Sequence, residues 1–122
     1  MSISPADYAT YRRTARRRAQ TAITRWAARR EQAWEAARRA AAYVRERCPG
    51  VTVRVFGSLL YEDSFGLQSD IDLAVEGIAW PDYLRVWSAL EKREPEFRID
   101  LVDTAIVSDS LRAQIEREGV LV

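Results

Sequence analysis

Two aspartates separated by one residue, Asp70 and Asp72, sit in the run Ser69-Asp70-Ile71-Asp72-Leu73. In an extended strand successive side chains alternate faces, so the two carboxylates point to one side while Ile71, Leu73 and Val75 point to the other. Two carboxylates held side by side repel unless a cation sits between them. Mg²⁺ answers that need, because it takes hard oxygen ligands and leaves positions for substrate phosphates. A third acid lies in Phe97-Arg98-Ile99-Asp100-Leu101-Val102-Asp103, where Phe97, Ile99 and Leu101 share one face and Asp100 takes the other. If this strand lies beside the first acidic one, Asp100 joins Asp70 and Asp72. Upstream, Phe56-Gly57-Ser58 reads as a turn. Gly57 lets the backbone approach a phosphate without a Cβ in the way, and the Ser58 hydroxyl can donate to a phosphate oxygen. Three carboxylates around one or two Mg²⁺ ions, facing a turn whose N–H groups can hold a triphosphate, are the parts needed for in-line nucleotidyl transfer.

Those parts need strands to carry them. Val51, Val53 and Val55 alternate with Thr52, Arg54 and Phe56 and predict a first strand ending at Gly57. Leu59 to Tyr61 reads as the start of a short helix, whose positive end would add to the phosphate site. Residues 63–68 read as a loop, Asp70 onward as the second strand, and Glu76-Gly77 as its end. Trp80-Pro81-Asp82 opens a helix with Tyr83, Leu84, Trp87, Ala89 and Leu90 on its apolar face, so Trp87 is expected in the core. Lys92-Arg93-Glu94-Pro95 closes it. A third strand runs from Phe97 to Val102, with Asp103 expected to be exposed or capping and therefore not a ligand. Ser108 or Asp109 caps a last helix through Leu111, Ile115 and Glu118, stopped by Gly119.

The ordered set of Val55-Phe56-Gly57-Ser58, Ser69-Asp70-Ile71-Asp72-Leu73 and Ile99-Asp100-Leu101-Val102-Asp103 resembles the minimal nucleotidyltransferase (MNT) family, the smallest branch of the polymerase β-like nucleotidyltransferases. The closing stretch from Ile115 to Val122 resembles that family's tail, so the resemblance spans residues 51–122. It implies an α+β fold, a small mixed sheet flanked by helices. It further implies Asp70, Asp72 and Asp100 as catalytic metal ligands for Mg²⁺, with Gly57 and Ser58 holding ATP or another nucleoside triphosphate. Tyr61-Glu62 stands where the family often has an Arg-Gly pair, and the gap to Asp70 is about one residue longer than usual. The resemblance also implies an acceptor: a HEPN-type RNase toxin, with this chain as the antitoxin that nucleotidylates, or with ATP AMPylates, a hydroxyl such as a tyrosine. The rival expectation is a catalytically silent nucleotidyltransferase fold that binds a partner protein or RNA. A plain dimerisation device comes third.

Composition narrows the alternatives. The 122 residues contain no histidine, which removes a Ser-His triad and a His-ligated zinc site. A single Cys48 excludes an internal disulfide framework. With no apolar run long enough to span a bilayer and no signal-peptide pattern, a cytoplasmic protein is expected. Charge is sharply divided: residues 1–50 hold 12 arginines against 4 acids, net +8, and residues 51–122 hold 7 basic residues against 14 acids, net −7.

That basic first segment reads as one long Arg/Ala-rich helix. Ser4 is a candidate cap, Pro5 the first helical residue and Asp7 a favourable charge at the positive end. No Gly or Pro follows until Cys48-Pro49-Gly50. At ~1.5 Å per residue the helix would be about 60 Å long, too long to bury against some seventy further residues. Tyr8, Tyr11, Ala15, Ala19, Ala22, Trp26, Ala33, Ala37, Ala40 and Val44 form a stripe, widened by Ile23 and Trp34 and interrupted by Arg30. Residues 34–44 are expected on the sheet and the N-terminal part as an interaction arm. The alternative is two helices folded back with an unseen break. On the main reading residues 1–50 are the long helix, an interaction arm partly packed on the core, and 51–122 the nucleotidyltransferase core. Arg12-Arg13 and Arg16-Arg17-Arg18 read as a solvated face first, then as contacts to a partner protein or a second copy, then to RNA.

Overall fold

The computed structural model describes residues 4–122. Helix α1 runs unbroken from Pro5 to Arg47, so the alternative of two folded-back helices does not hold. The Ser4 side chain accepts a hydrogen bond from the Asp7 N–H, and the Cys48 N–H closes the other end on the Val44 carbonyl. Strand β1 (Thr52–Phe56) follows, then a single 3₁₀ turn (Gly57–Leu60), β2 (Ile71–Glu76), α2 (Trp80–Arg93), β3 (Ile99–Asp103), α3 (Asp109–Glu118) and β4 (Val120–Leu121). The sheet order is β3-β2-β1-β4. β1 is antiparallel to both its neighbours, and β2 and β3 are parallel. The architecture is the expected α+β one, a small mixed sheet between helices.

Alternation along the strands divides the sheet into two faces. Val53, Val55, Ile71, Leu73, Val75, Ile99 and Leu101 are buried under α1 and α2. The buried face of α1 is built from Ala33, Ala36, Ala37, Ala40, Ala41 and Val44, and such small side chains let the helix lie close to the strands. On the opposite face Phe56, Ala74 and Ile115 form a second cluster with Val102 and Leu111, so α3 covers part of that side. From Pro5 to Ala28 every residue of α1 is exposed. The arginine pair Arg29 and Arg30 marks the border, and Arg39 reaches across to Glu94 at the end of α2 through two bonds of 2.9 and 3.0 Å.

Several expectations are corrected. Trp87 is 39% exposed rather than in the core; Val86 and Leu90 are the residues α2 buries. Of the two roles expected for Asp103, it takes the capping one, accepting the Ala105 N–H at 3.0 Å, and at 5% exposure it is not the exposed residue of the other. The helix expected from Leu59 is a 3₁₀ turn that starts two residues earlier, at Gly57. Strand β4 was not anticipated. It exists because Gly119 stops α3 and returns the chain to β1, where Val120 pairs with Val55 and Leu121 with Arg54.

Candidate active site

β2 and β3 run parallel in a register that places Asp72 opposite Asp100. Neighbouring strands lie about 4.8 Å apart, and residues in register share a face. Asp100 therefore stands beside Asp72, on the side away from Ile71, Leu73, Ile99 and Leu101. Asp70 precedes β2 by one residue and has the same parity. Asp103 has the opposite parity and points under α2, so it is not part of this group. The sequence-based trio of Asp70, Asp72 and Asp100 is thus gathered at one end of the sheet face that α3 leaves open.

Electrostatics agree with that proximity. The Asp72 carboxyl is raised from 3.8 to about 6, first by burial and then by the charges of Asp100 and Asp70. No arginine or lysine forms an ion pair with any of the three among the described residues. Among the described residues no group of three or more acidic side chains is placed to hold a metal ion, so register brings the acids together without forming a metal site. Burial and the two neighbouring charges thus act in the same direction, each disfavouring the ionised Asp72. The donors are all hard carboxylate oxygens, which suits Mg²⁺.

Gly57 is fitted to this place. Its φ is +75°, and a Cβ there would collide with the Asp72 carboxylate, whose Cγ would lie only 3.1 Å away. Across the antiparallel ladder Phe56 pairs with Asp72, so the end of β1 delivers the turn directly to the acids. Ser58 is half-buried in the turn, next to Gly57. The 3₁₀ turn is four residues long, so the backbone N–H groups of the turn, rather than a helix end, are its contribution to anion binding.

Five supporting residues were missed in the sequence. The Arg30 guanidinium donates to the Leu59 carbonyl at 3.0 Å, tying α1 to the turn, where the sequence showed only an interruption of an apolar stripe. Arg29 donates to the Leu67 carbonyl at 3.1 Å and stacks over Phe97 at 4.7 Å. Phe65 anchors the loop between turn and β2 as a fully buried side chain against Phe97, a burial that its isolation between Ser64 and Gly66 could have signalled. Tyr61, in the place of the Arg-Gly pair, donates its hydroxyl to Glu118 at 2.8 Å. On the β3 side, Tyr83 donates to the Leu101 carbonyl at 2.6 Å. Burial and the charges of Asp100 and Asp103 push the Tyr83 hydroxyl up, which keeps it a neutral donor. The Ile71 N–H bonds the Arg98 carbonyl, so Leu101 directs its carbonyl to the free edge, and Tyr83 closes that edge.

A four-stranded mixed sheet that presents acids from two parallel strands beside a glycine-serine turn is the minimal nucleotidyltransferase fold. Residues 44–122 match the polymerase beta nucleotidyltransferase family, and the chain belongs to that family. In fold it is similar to a toxin–antitoxin solved with AMP-PNP, at 24% identity over 64% of each chain and a TM-score of 0.53. It is similar as well to a mutant MntA–HpeT toxin–antitoxin, at 22% identity over 64% of each chain and a TM-score of 0.51. The chain thus spans 64% of the length of each of these structures. A protein described as a minimal nucleotidyltransferase shares 28% identity over 82% of this chain and 95% of its own, with a TM-score of 0.48. No curated protein matches in sequence. No helix among the described residues is long and apolar enough to cross a membrane.

Proposed function

We propose that this chain is a Mg²⁺-dependent nucleotidyltransferase that moves a nucleoside monophosphate from ATP or another nucleoside triphosphate to a hydroxyl on a partner protein. The observation that carries the reading is the register of Asp72 against Asp100 beside the Gly57 turn. Asp70, Asp72 and Asp100 would hold the metal, and the Gly57 backbone with the Ser58 hydroxyl would grip the terminal phosphates. Mg²⁺ held there would supply charge neutralisation to the transfer. Asp100 accepts the proton of the acceptor hydroxyl as its oxygen bonds to the α-phosphorus, while the bond to pyrophosphate breaks and pyrophosphate leaves. The chain contains no histidine, so among its own side chains at this site the carboxylates are the candidate bases.

The acceptor in this proposal is a HEPN-type RNase toxin, with this chain as its antitoxin in the cytoplasm. The fold shared with two toxin–antitoxin structures supports the pairing. The test is transfer of label from ATP to the co-purified partner, with mass spectrometry of that partner for added nucleotide. Transfer that is lost in Asp72→Asn and Asp100→Asn supports the reading. No transfer, with both variants behaving as wild type in the cell, overturns it.

One observation favours a second reading, a silent fold that neutralises a partner or binds RNA. Tyr61 is engaged by Glu118 where family members often carry Arg-Gly, so an arginine that could face the triphosphate is missing from that position. Calorimetry with ATP and Mg²⁺ separates the two. Magnesium-dependent nucleotide binding that disappears in Asp70→Asn excludes the silent fold.

A further inference from the structure

We propose that two copies of this chain associate through the exposed part of α1, packed antiparallel about a two-fold axis near Arg17. This stretch carries four large apolar side chains in solvent, Tyr8, Tyr11, Ile23 and Trp26. They continue the stripe that Ala33, Ala37 and Val44 bury farther along the same helix, but among the described residues each stays at least half exposed. Between the two bulky pairs lie Ala15, Ala19 and Ala22. The seam is therefore large at both ends and small in the middle, and a two-fold axis at its centre makes it complementary to itself. Tyr8 of one copy meets Trp26 of the other, Tyr11 meets Ile23, and Ala15 meets Ala19. The alanine centre lets the two helices approach closely, and the aromatic ends fill the space where they diverge.

Two further observations select a second copy over another occupant. First, a groove of about 390 Å³ lies between α1 and the loop after the turn, lined by Ile23, Trp26, Ala27, Arg30, Glu62 and Asp63. The pairing brings Tyr8 of the second copy to this groove. Arg12, which already stacks on Tyr8 at 4.7 Å, arrives with it and faces the rim acids Glu62 and Asp63. Neither of those acids forms an ion pair among the described residues. Second, the antiparallel arrangement sets Arg12 opposite Ala22, Arg13 opposite Thr21 and Arg25 opposite Ala9 and confines like-charge meetings to Arg16, Arg17 and Arg18 at the axis, whereas a parallel pair would set every arginine against its own copy. The pairing stands independently of the chemistry assigned to the carboxylates.

Sedimentation of the nuclease-treated full chain tests the proposal. A dimer is expected, and Tyr8→Glu with Trp26→Glu should return it to monomer with unchanged helicity by circular dichroism. Orientation is read by disulfide trapping. Positions 8 and 26 are about 27 Å apart along one straight helix, so a bridge between them has to join two copies. The double variant Tyr8→Cys/Trp26→Cys should therefore oxidise to a covalent dimer, and Tyr8→Cys alone should not. A monomeric wild-type mass at about 50 μM, or trapping by Tyr8→Cys alone, overturns it. So does association that vanishes on nuclease treatment, which would assign the arm to nucleic acid.

Discussion

Asp100 faces Asp72 across a parallel ladder although 28 positions separate them in the chain, because α2 carries β3 back alongside β2. The pairing gives two acids one orientation and one height on the sheet. Burial, with the charges of Asp100 and Asp70, raises the Asp72 carboxyl, and that has measurable consequences.

Stability of the metal-free protein should depend on pH through Asp72. Its carboxyl is raised from 3.8 to about 6, first by burial and then by Asp100 and Asp70. The folded state therefore binds an extra proton between these values. The stabilisation this represents is present below the lower value and is lost as pH rises through the upper one. Thermal melts in chelator should show Asp72→Asn gaining on wild type as pH goes from about 4 to about 7. Added Mg²⁺ should narrow the gap at neutral pH, and a gap that does not change with pH would refute the assignment.

Gly57→Ala should remove nucleotide binding and lower the melting temperature. A Cβ would strike the Asp72 carboxylate, and the positive φ adds strain of about 1–3 kcal/mol. Calorimetry and a melt on the same sample check both halves. Nucleotide affinity within twofold of wild type would show that the turn is not the phosphate site.

Asp100 and Asp103 should respond in opposite ways to the same change. Asp100→Asn removes an exposed charge next to Asp72, and is expected to abolish transfer while leaving the melting temperature equal or higher. Asp103→Asn perturbs a buried turn bond, at a cost of about 1 kcal/mol, with transfer retained. Denaturant melts and the transfer assay on both variants give the comparison.

Arg30→Ala should loosen the phosphate turn from a distance. It deletes the bond to the Leu59 carbonyl, a charge-assisted contact whose loss costs about 1.5–3 kcal/mol. Hydrogen exchange of the backbone N–H groups at residues 57–61 should quicken. Unchanged exchange there would assign Arg30 to the surface only.

The legible parts of this molecule were those fixed by local periodicity. Alternation of Ile71, Leu73 and Val75, and of Ile99 and Leu101, told which way the acids point, because a strand leaves a side chain only two directions. The caps at Ser4 and Ser108 were legible because the hydroxyl bonds an N–H three residues on. What stayed hidden depended on partners far along the chain. Trp87 has the composition of a core residue, but α2 packs through Val86 and Leu90, and helical phase shifted by one residue decides which side is inside. β4 is two residues long and carries no periodicity of its own; its pairing to β1 supplies the order. Arg30 broke an apolar stripe in one dimension and holds a carbonyl in three.

Helix α1 is a single rod from solvent to core, and Arg29 and Arg30 grip the loop and the turn near its midpoint. No break separates Tyr8 from Arg30, so the free half of α1 and the hold on the Leu59 carbonyl belong to one continuous element.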